Sequence, residues 1–137
     1  LYIMDSFGER GSLFSLANMG VRSGSFMPKG GHNPLEPAAF GLPIITGPHI
    51  FKNSAEFAGL RDVGVVFDVA ETNDGLDATI TGQKLAKLVI AIASDKPARR
   101  RIASAAKAYA KAANERSHIA ARKIVLKTMK QPVKTNR

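Results

Sequence analysis

Two short apolar runs constrain the fold most strongly: Leu42-Pro43-Ile44-Ile45-Thr46 and Gly64-Val65-Val66-Phe67-Asp68-Val69. Both carry β-branched residues, glycines adjoin both, and neither alternates with polar residues as a half-exposed strand would. Such runs read as short strands buried on both faces. Helical spacing lies around them. Residues 54–60 read as a short helix. Residues 82–94 place Leu85, Leu88, Val89 and Ile92 on one face, and the Ala-rich stretch 97–113 follows Pro97. Helical register continues over 115–130 with Ile119, Ile124 and Leu126. Upstream, residues 1–4 read as a strand end, 10–18 as a short helix, and Met19 to Phe26 as a strand containing Arg22. A short helix runs from about Pro34 to Phe40 and is closed by Gly41, whereas Glu71 to Thr81 reads as a loop. Strands alternating with helices predict an α/β chain with a parallel sheet covered on both faces, ending in long basic helices.

A length of 137 residues with 45% apolar composition suits one packed core. Zero cysteines exclude a disulfide frame, a thiolate metal site and a cysteine nucleophile. No apolar run reaches the roughly 18 residues that would span a bilayer, and the first residues lack a signal-peptide pattern. The chain opens on Leu1 inside what reads as a strand end, so it is expected to be a piece of something longer. Its formal charge of +9 is unevenly placed. Residues 1–93 hold 7 basic and 9 acidic residues, a net of −2, whereas 94–137 hold 13 basic and 2 acidic, a net of +11. A basic terminal element is therefore expected rather than a basic domain. Arg99, Arg100, Arg101, Lys107, Lys111, Arg116, Arg122, Lys123, Lys127 and Lys130 fit a solvated helical face or an anionic membrane surface. A nucleic-acid partner is not expected, because Tyr109 is the one aromatic residue after Phe67 to serve as a stacking platform.

The chemically informative segment is Lys29-Gly30-Gly31-His32-Asn33-Pro34-Leu35-Glu36-Pro37. Two glycines after a strand allow close backbone approach to a ligand. A helix starting near Asn33 would aim free N–H groups and its positive dipole end at that loop, which suits a phosphate. Glu36 could accept hydrogen bonds from a ribose diol. The same residues also fit a capping arrangement, with Asn33 as the cap and Glu36 folding back over it. Both readings stand at this point.

The full string resembles the Gly-Gly-His-Asn-Pro-Leu-Glu-Pro-Ala signature of 3-deoxy-D-manno-octulosonic acid (Kdo) transferases of lipopolysaccharide biosynthesis. Gly41-Leu42-Pro43-Ile44-Ile45-Thr46-Gly47-Pro48-His49-Ile50-Phe51 fits the same family. Asp5-Ser6-Phe7-Gly8-Glu9 resembles its Asp-Thr-Met-Gly-Glu loop. The match is good from residue 1 to about 69, and generic thereafter.

The resemblance implies the C-terminal half of a GT-B glycosyltransferase. Residues 1–95 would form a Rossmann-like nucleotide-sugar-binding domain, incomplete at its N-terminus, and 96–137 the basic C-terminal helices. Such enzymes transfer Kdo from CMP-Kdo to a lipid A precursor, without metal or other cofactor, at the cytoplasmic face of the inner membrane. Carried over by position, Phe7, Gly8, Glu9, Gly30, Gly31, Asn33, Pro34, Leu35 and Glu36 would bind the nucleotide. The family's general base lies in an N-terminal domain that nothing here matches. The Pro-Arg pair that begins the family's CMP site is also missing. No catalytic residue is therefore assigned, and the chain alone is expected not to transfer. Three departures stand out: Phe7 for Met, Ser23-Gly24-Ser25 for Gly-Gly-Ser, and Arg22 at a normally apolar position, where an unpaired buried charge would be costly. They fit a catalytically inactive, truncated nucleotide-sugar- or partner-binding module, or a basic membrane-surface binder, as alternatives.

His32 is a further candidate for phosphate or sugar contact and His49 for contact with the sugar or the other domain, each with a plain loop- or turn-stabilising role as the competing reading. His118 reads as solvated. The three histidines lack metal-ligand spacing, and no serine sits in a nucleophile-elbow pattern.

Overall fold

A computed structural model describes residues 10–69 and 78–129. The expected strand end at 1–4 lies outside the described residues, as does most of the 71–81 loop. Within them, β1 (Gly20–Arg22), β2 (Ile44–Thr46) and β3 (Val66–Asp68) form a parallel sheet in the order β1-β2-β3. Ile44 stands opposite Gly20 on one side and Val66 on the other. Helices α1 (Arg10–Leu16), α2 (Leu35–Ala39), α3 (Ser54–Asp62), α4 (Ala78–Ser94) and α5 (Lys96–Met129) complete the described chain.

The central strand is buried throughout, as its unbroken apolar sequence requires. Alternation of side chains along a strand then sorts the core into two layers. Ile44 and Val66 pack with Ala38 of α2, Phe57 and Leu60 of α3, and Ala106 and Ala110 of α5. Ile45 turns the other way and packs with Val69 and Ile92, flanked by Met19, Phe26, Leu85 and Leu88. Thus α2, α3 and α5 cover one face of the sheet and α4 the other.

Several bounds differ from the sequence reading. The strand expected over Met19–Phe26 pairs only through Gly20–Arg22 and then tightens into a 3-10 turn at Ser23–Ser25. The Ser25 hydroxyl donates to the Arg22 carbonyl and holds that turn. Helix α4 begins at Ala78, so residues 78–81 belong to it rather than to a loop. The helices expected at 97–113 and 115–130 are one 34-residue helix. Only Asn114 separated the two expected segments, and an interior Asn costs a helix well under ~1 kcal/mol.

Asp95 separates α4 from α5 and starts the latter. Its carboxylate accepts the Ala98 N–H at 2.8 Å, the usual N-cap geometry, with Pro97 in the first turn where an absent N–H costs nothing. Arg99 reaches back to donate to the Ile92 and Ala93 carbonyls at the end of α4. Among the described residues, no helix is long and apolar enough to cross a membrane.

The contact of α3 with α5 depends on a missing side chain. A Cβ at Gly59 would lie 2.0 Å from the Tyr109 hydroxyl and 2.6 Å from Cζ of the same ring. Gly59→Ala should therefore lower stability by roughly 1–3 kcal/mol, although alanine is the better helix former. Thermal melts followed by circular dichroism would check this, and the loss should shrink in a Tyr109→Ala background.

Candidate functional site

Ligands of open α/β sheets bind beyond the carboxyl ends of the strands. Here Arg22, Thr46 and Asp68 mark those ends, and the loops after β1 and β2 meet there. Ser25 joins them. Fully buried, its hydroxyl accepts the Gly47 N–H at 2.7 Å, and its carbonyl accepts the His49 N–H at 2.9 Å. Gly47 permits this closeness, since a Cβ there would sit 2.6 Å from the Ser25 carbonyl oxygen. The sequence reading noted Ser25 only as part of a departure from a glycine-rich pattern. Its one local signal was a small polar residue directly after a strand.

The glycine pair sits on this joint. Gly30 and Gly31 have φ of +85° and +66°, left-handed values that side-chain-bearing residues avoid. Gly30 is buried beneath the Phe51 ring and the Lys52 stem, where a Cβ would approach to 2.7 and 2.6 Å. Gly31 backs onto the His49 carbonyl. His49 thus enters the site through its main chain, while the His32 ring lies exposed beside Gly24. The N–H groups of Gly30, Gly31, His32, Asn33 and Glu36 donate to no acceptor among the described residues.

Helix α2 is a single turn with two prolines at its start. The Asn33 side chain accepts the Leu35 N–H at 2.9 Å in an Asx turn just ahead of the helix, so the expected cap shifts: Pro34 occupies the N-cap position and brings no side-chain hydrogen bond. Glu36 does not fold back over Asn33. Its carboxylate faces Arg10 at 3.6 Å, in a pair whose side chains are 60% and 37% exposed for Arg10 and Glu36. A five-residue helix also carries little dipole, so the free loop amides are the main anion-attracting feature of this turn. The far end closes as expected at Gly41, with φ of +80°. The Leu42 N–H bonds the Pro37 carbonyl and the Gly41 N–H that of Ala38.

Arg22, expected to be a costly buried charge, is half-buried and partly paired. Its Nη2 donates to the Asn33 carbonyl at 3.2 Å, whereas Nε is buried without a partner among the described residues. Burial holds its pKa below the ordinary arginine value. The Glu36 charge opposes that shift and Arg10 adds to it. At the neighbouring strand end, Arg61 grips Asp68 with two hydrogen bonds of 2.6 and 2.7 Å, and the hydrogen bonding raises the Arg61 pKa.

Helix α5 runs antiparallel to α2. Gly41 at the end of α2 lies against Ala103 and Lys107, while Leu35 at its start faces Ala113 and Ser117. Between them is a groove of about 520 Å³ that brings Asn33 and Glu36 together with Lys107, Lys111, Asn114 and Ser117. This volume is in the range of small-molecule sites. Sequence reading assigned none of the α5 residues to the site, because only tertiary packing brings them beside α2. Pro34 is buried and Leu35 half-buried under the loop. Phe7, Gly8 and Glu9 lie outside the described residues. Among the described residues, no group of three or more acidic or histidine side chains could hold a metal ion.

No family model matches the chain. Curated relatives do. It is 40% identical over 76 residues to the 3-deoxy-D-manno-octulosonic acid transferase of Haemophilus influenzae, covering 56% of this chain and 18% of that protein. The enzyme of the same name from Rickettsia bellii is 52% identical over 54 residues, 39% of this chain and 13% of its own length. That of Chlamydia muridarum is 34% identical over 85 residues, 60% and 20%. Among solved structures, the C-terminal CMP-Kdo binding domain of WaaA from Acinetobacter baumannii superposes with a TM-score of 0.65 at 26% identity, over 79% of this chain and 51% of that one. The matched stretch is thus about a fifth or less of these curated relatives' length. Similarity to Kdo transferases holds in both sequence and fold, and the parallel sheet with helices on both faces is that of the C-terminal domain.

Ser25→Ala would leave the buried Gly47 N–H without its acceptor, at a cost of about 1–3 kcal/mol. Denaturant unfolding should show that loss. Hydrogen exchange should quicken at Gly47 and His49 before it changes in the strands.

Proposed function

We propose that this chain is the donor-binding half of a Kdo transferase and holds the cytidylate of CMP-Kdo at the glycine turn and Glu36. The observation that carries this reading is the set of unpartnered amides from Gly30 to Asn33, beside a groove lined by Asn33 and Glu36. The solved CMP-Kdo binding domain supports it at the level of fold. Phosphate oxygens accept from the loop amides, and Glu36 accepts from the ribose hydroxyls. The ribose displaces Arg10 easily, because an exposed pair at 3.6 Å contributes little.

In transfer, cleavage of the sugar–phosphate bond leaves an oxocarbenium-like sugar and an anionic CMP. Fixed N–H dipoles stabilise the charge that develops on the leaving phosphate, which lowers the barrier without proton transfer at that end. The acceptor hydroxyl of the lipid A precursor needs a general base. We assign that base to an N-terminal half, so the present chain recognises the donor and the second half completes the reaction. No metal or other cofactor is required in this scheme. His32 and His49 border the turn, and Phe7, Gly8 and Glu9 are carried over by motif position as additional nucleotide contacts.

Titration calorimetry with CMP tests the reading. Glu36→Gln should weaken CMP about tenfold or more, the value of a hydrogen bond to a charged group, and leave the melting temperature unchanged. A fall in melting temperature with unchanged affinity would assign Glu36 to the fold alone. Absence of CMP binding by the unaltered chain would end the proposal.

The distal half of α5 is read as resting on the anionic cytoplasmic face of the membrane. Ile119, Leu126 and Met129 are 57%, 49% and 77% exposed there, amid Arg116, Arg122, Lys123 and Lys127. Exposed apolar side chains interspersed with cations favour a lipid interface over RNA. The chain should co-sediment with vesicles containing anionic phospholipid and release as salt rises, while neutral vesicles and single-stranded RNA leave it in solution.

A further inference from the structure

We infer that Lys111 of α5 is an anion-binding residue of the donor groove, with Lys107, one turn earlier, at the far end of the same groove. The inference rests on the donor-binding reading above and adds a residue outside the motif-bearing segment.

The two lysines share one helical face, four residues apart, so their Cα atoms are separated by about 6 Å along α5. The antiparallel course of α5 gives them different surroundings. Lys107 lies over the end of α2, its Cε 2.9 Å from where a Cβ of Gly41 would be. Lys111 lies a turn nearer the start of α2, in the same groove as Asn33, Glu36, Asn114 and Ser117. No helix end neutralises it there. The ion pairs among the described residues are Arg10 with Glu36 and Arg61 with Asp68, so Lys111 has no carboxylate partner among them.

Among the described residues, Glu36 is the one carboxylate of this groove and is already matched by Arg10, while the opposite wall carries two ammonium groups. The groove is therefore cationic before any ligand enters. A nucleotide sugar whose ribose rests on Glu36 extends an oxyanion along it. Two donor groups share this chemistry: the phosphodiester and the sugar carboxylate. Asn114 and the Ser117 hydroxyl, which donates to the Ala113 carbonyl at 3.1 Å, leave polar atoms for the neutral part of the ligand.

Calorimetry on the full chain with cytidine, CMP, free Kdo and CMP-Kdo tests the inference. Lys111→Gln should weaken CMP or free Kdo about tenfold, leave cytidine unchanged, and flatten the salt dependence of binding. Loss confined to CMP identifies the phosphate as the bound oxyanion, and loss confined to free Kdo identifies the carboxylate. Lys111→Arg should restore most of the affinity. Lys107→Gln, at the far end of the same groove, should weaken the anionic ligands less than Lys111→Gln does. Equal affinities for all four ligands in Lys111→Gln would overturn the inference while the donor-binding reading stands. If the unaltered chain binds neither CMP nor CMP-Kdo, both fall together.

Discussion

One buried hydroxyl organises the working edge of this molecule. Ser25 receives the start of the loop after β2, secures the end of β1, and presents its carbonyl to the next turn of chain. The sheet is only three residues deep at each strand, so it offers little pairing energy to fix the loops that leave it. The positions of Gly30 and Gly31 therefore depend on the joint beneath them. Their left-handed backbone is tolerated because no side chain is present, and it is held because Phe51, Lys52 and the His49 carbonyl close over it. A turn fixed in this way leaves N–H groups without acceptors among the described residues.

What could be read from sequence follows the range of the interaction concerned. The buried strands and the glycine stop at Gly41 depend on residues within a few positions, and each was legible; Asn33 acts locally too, but one position ahead of the cap. Ser25 acts on Gly47, 22 positions away, so no local pattern disclosed it. One of the two readings of Glu36 had its side chain fold back on its own helix. It turned instead to Arg10, on a helix whose position local sequence cannot specify. Arg22 shows the same limit. Its misfit in a strand was visible, but the carbonyl of Asn33 that takes up its charge became apparent only with the loop in place.

Helix α5 shows a different failure of local reading. The alanine-rich stretch 97–113 and the stretch 115–130 were read as separate segments in continuing helical register, with the join at Asn114 left open. Composition governs which surface a helix prefers, not whether the helix stops, and nothing near Asn114 supplies a cap or a breaker. Packing of its alanine-rich first half against α2 is what brings lysines from a segment with only generic similarity into the same groove as the motif residues.

That continuity has a mechanical consequence. The core grips α5 through Ala106, Ala110 and Ala113, and the remaining stretch of about 24 Å extends past them as a stiff arm. Lys111 and Asn114 stand at its fulcrum. A load that tilts the free end must widen or narrow the gap opposite α2. By reciprocity, a molecule lodged in that gap must bias the tilt of the arm. One unbroken rod thereby ties events far from the sheet to occupancy at its edge, with no hinge in between to absorb the motion.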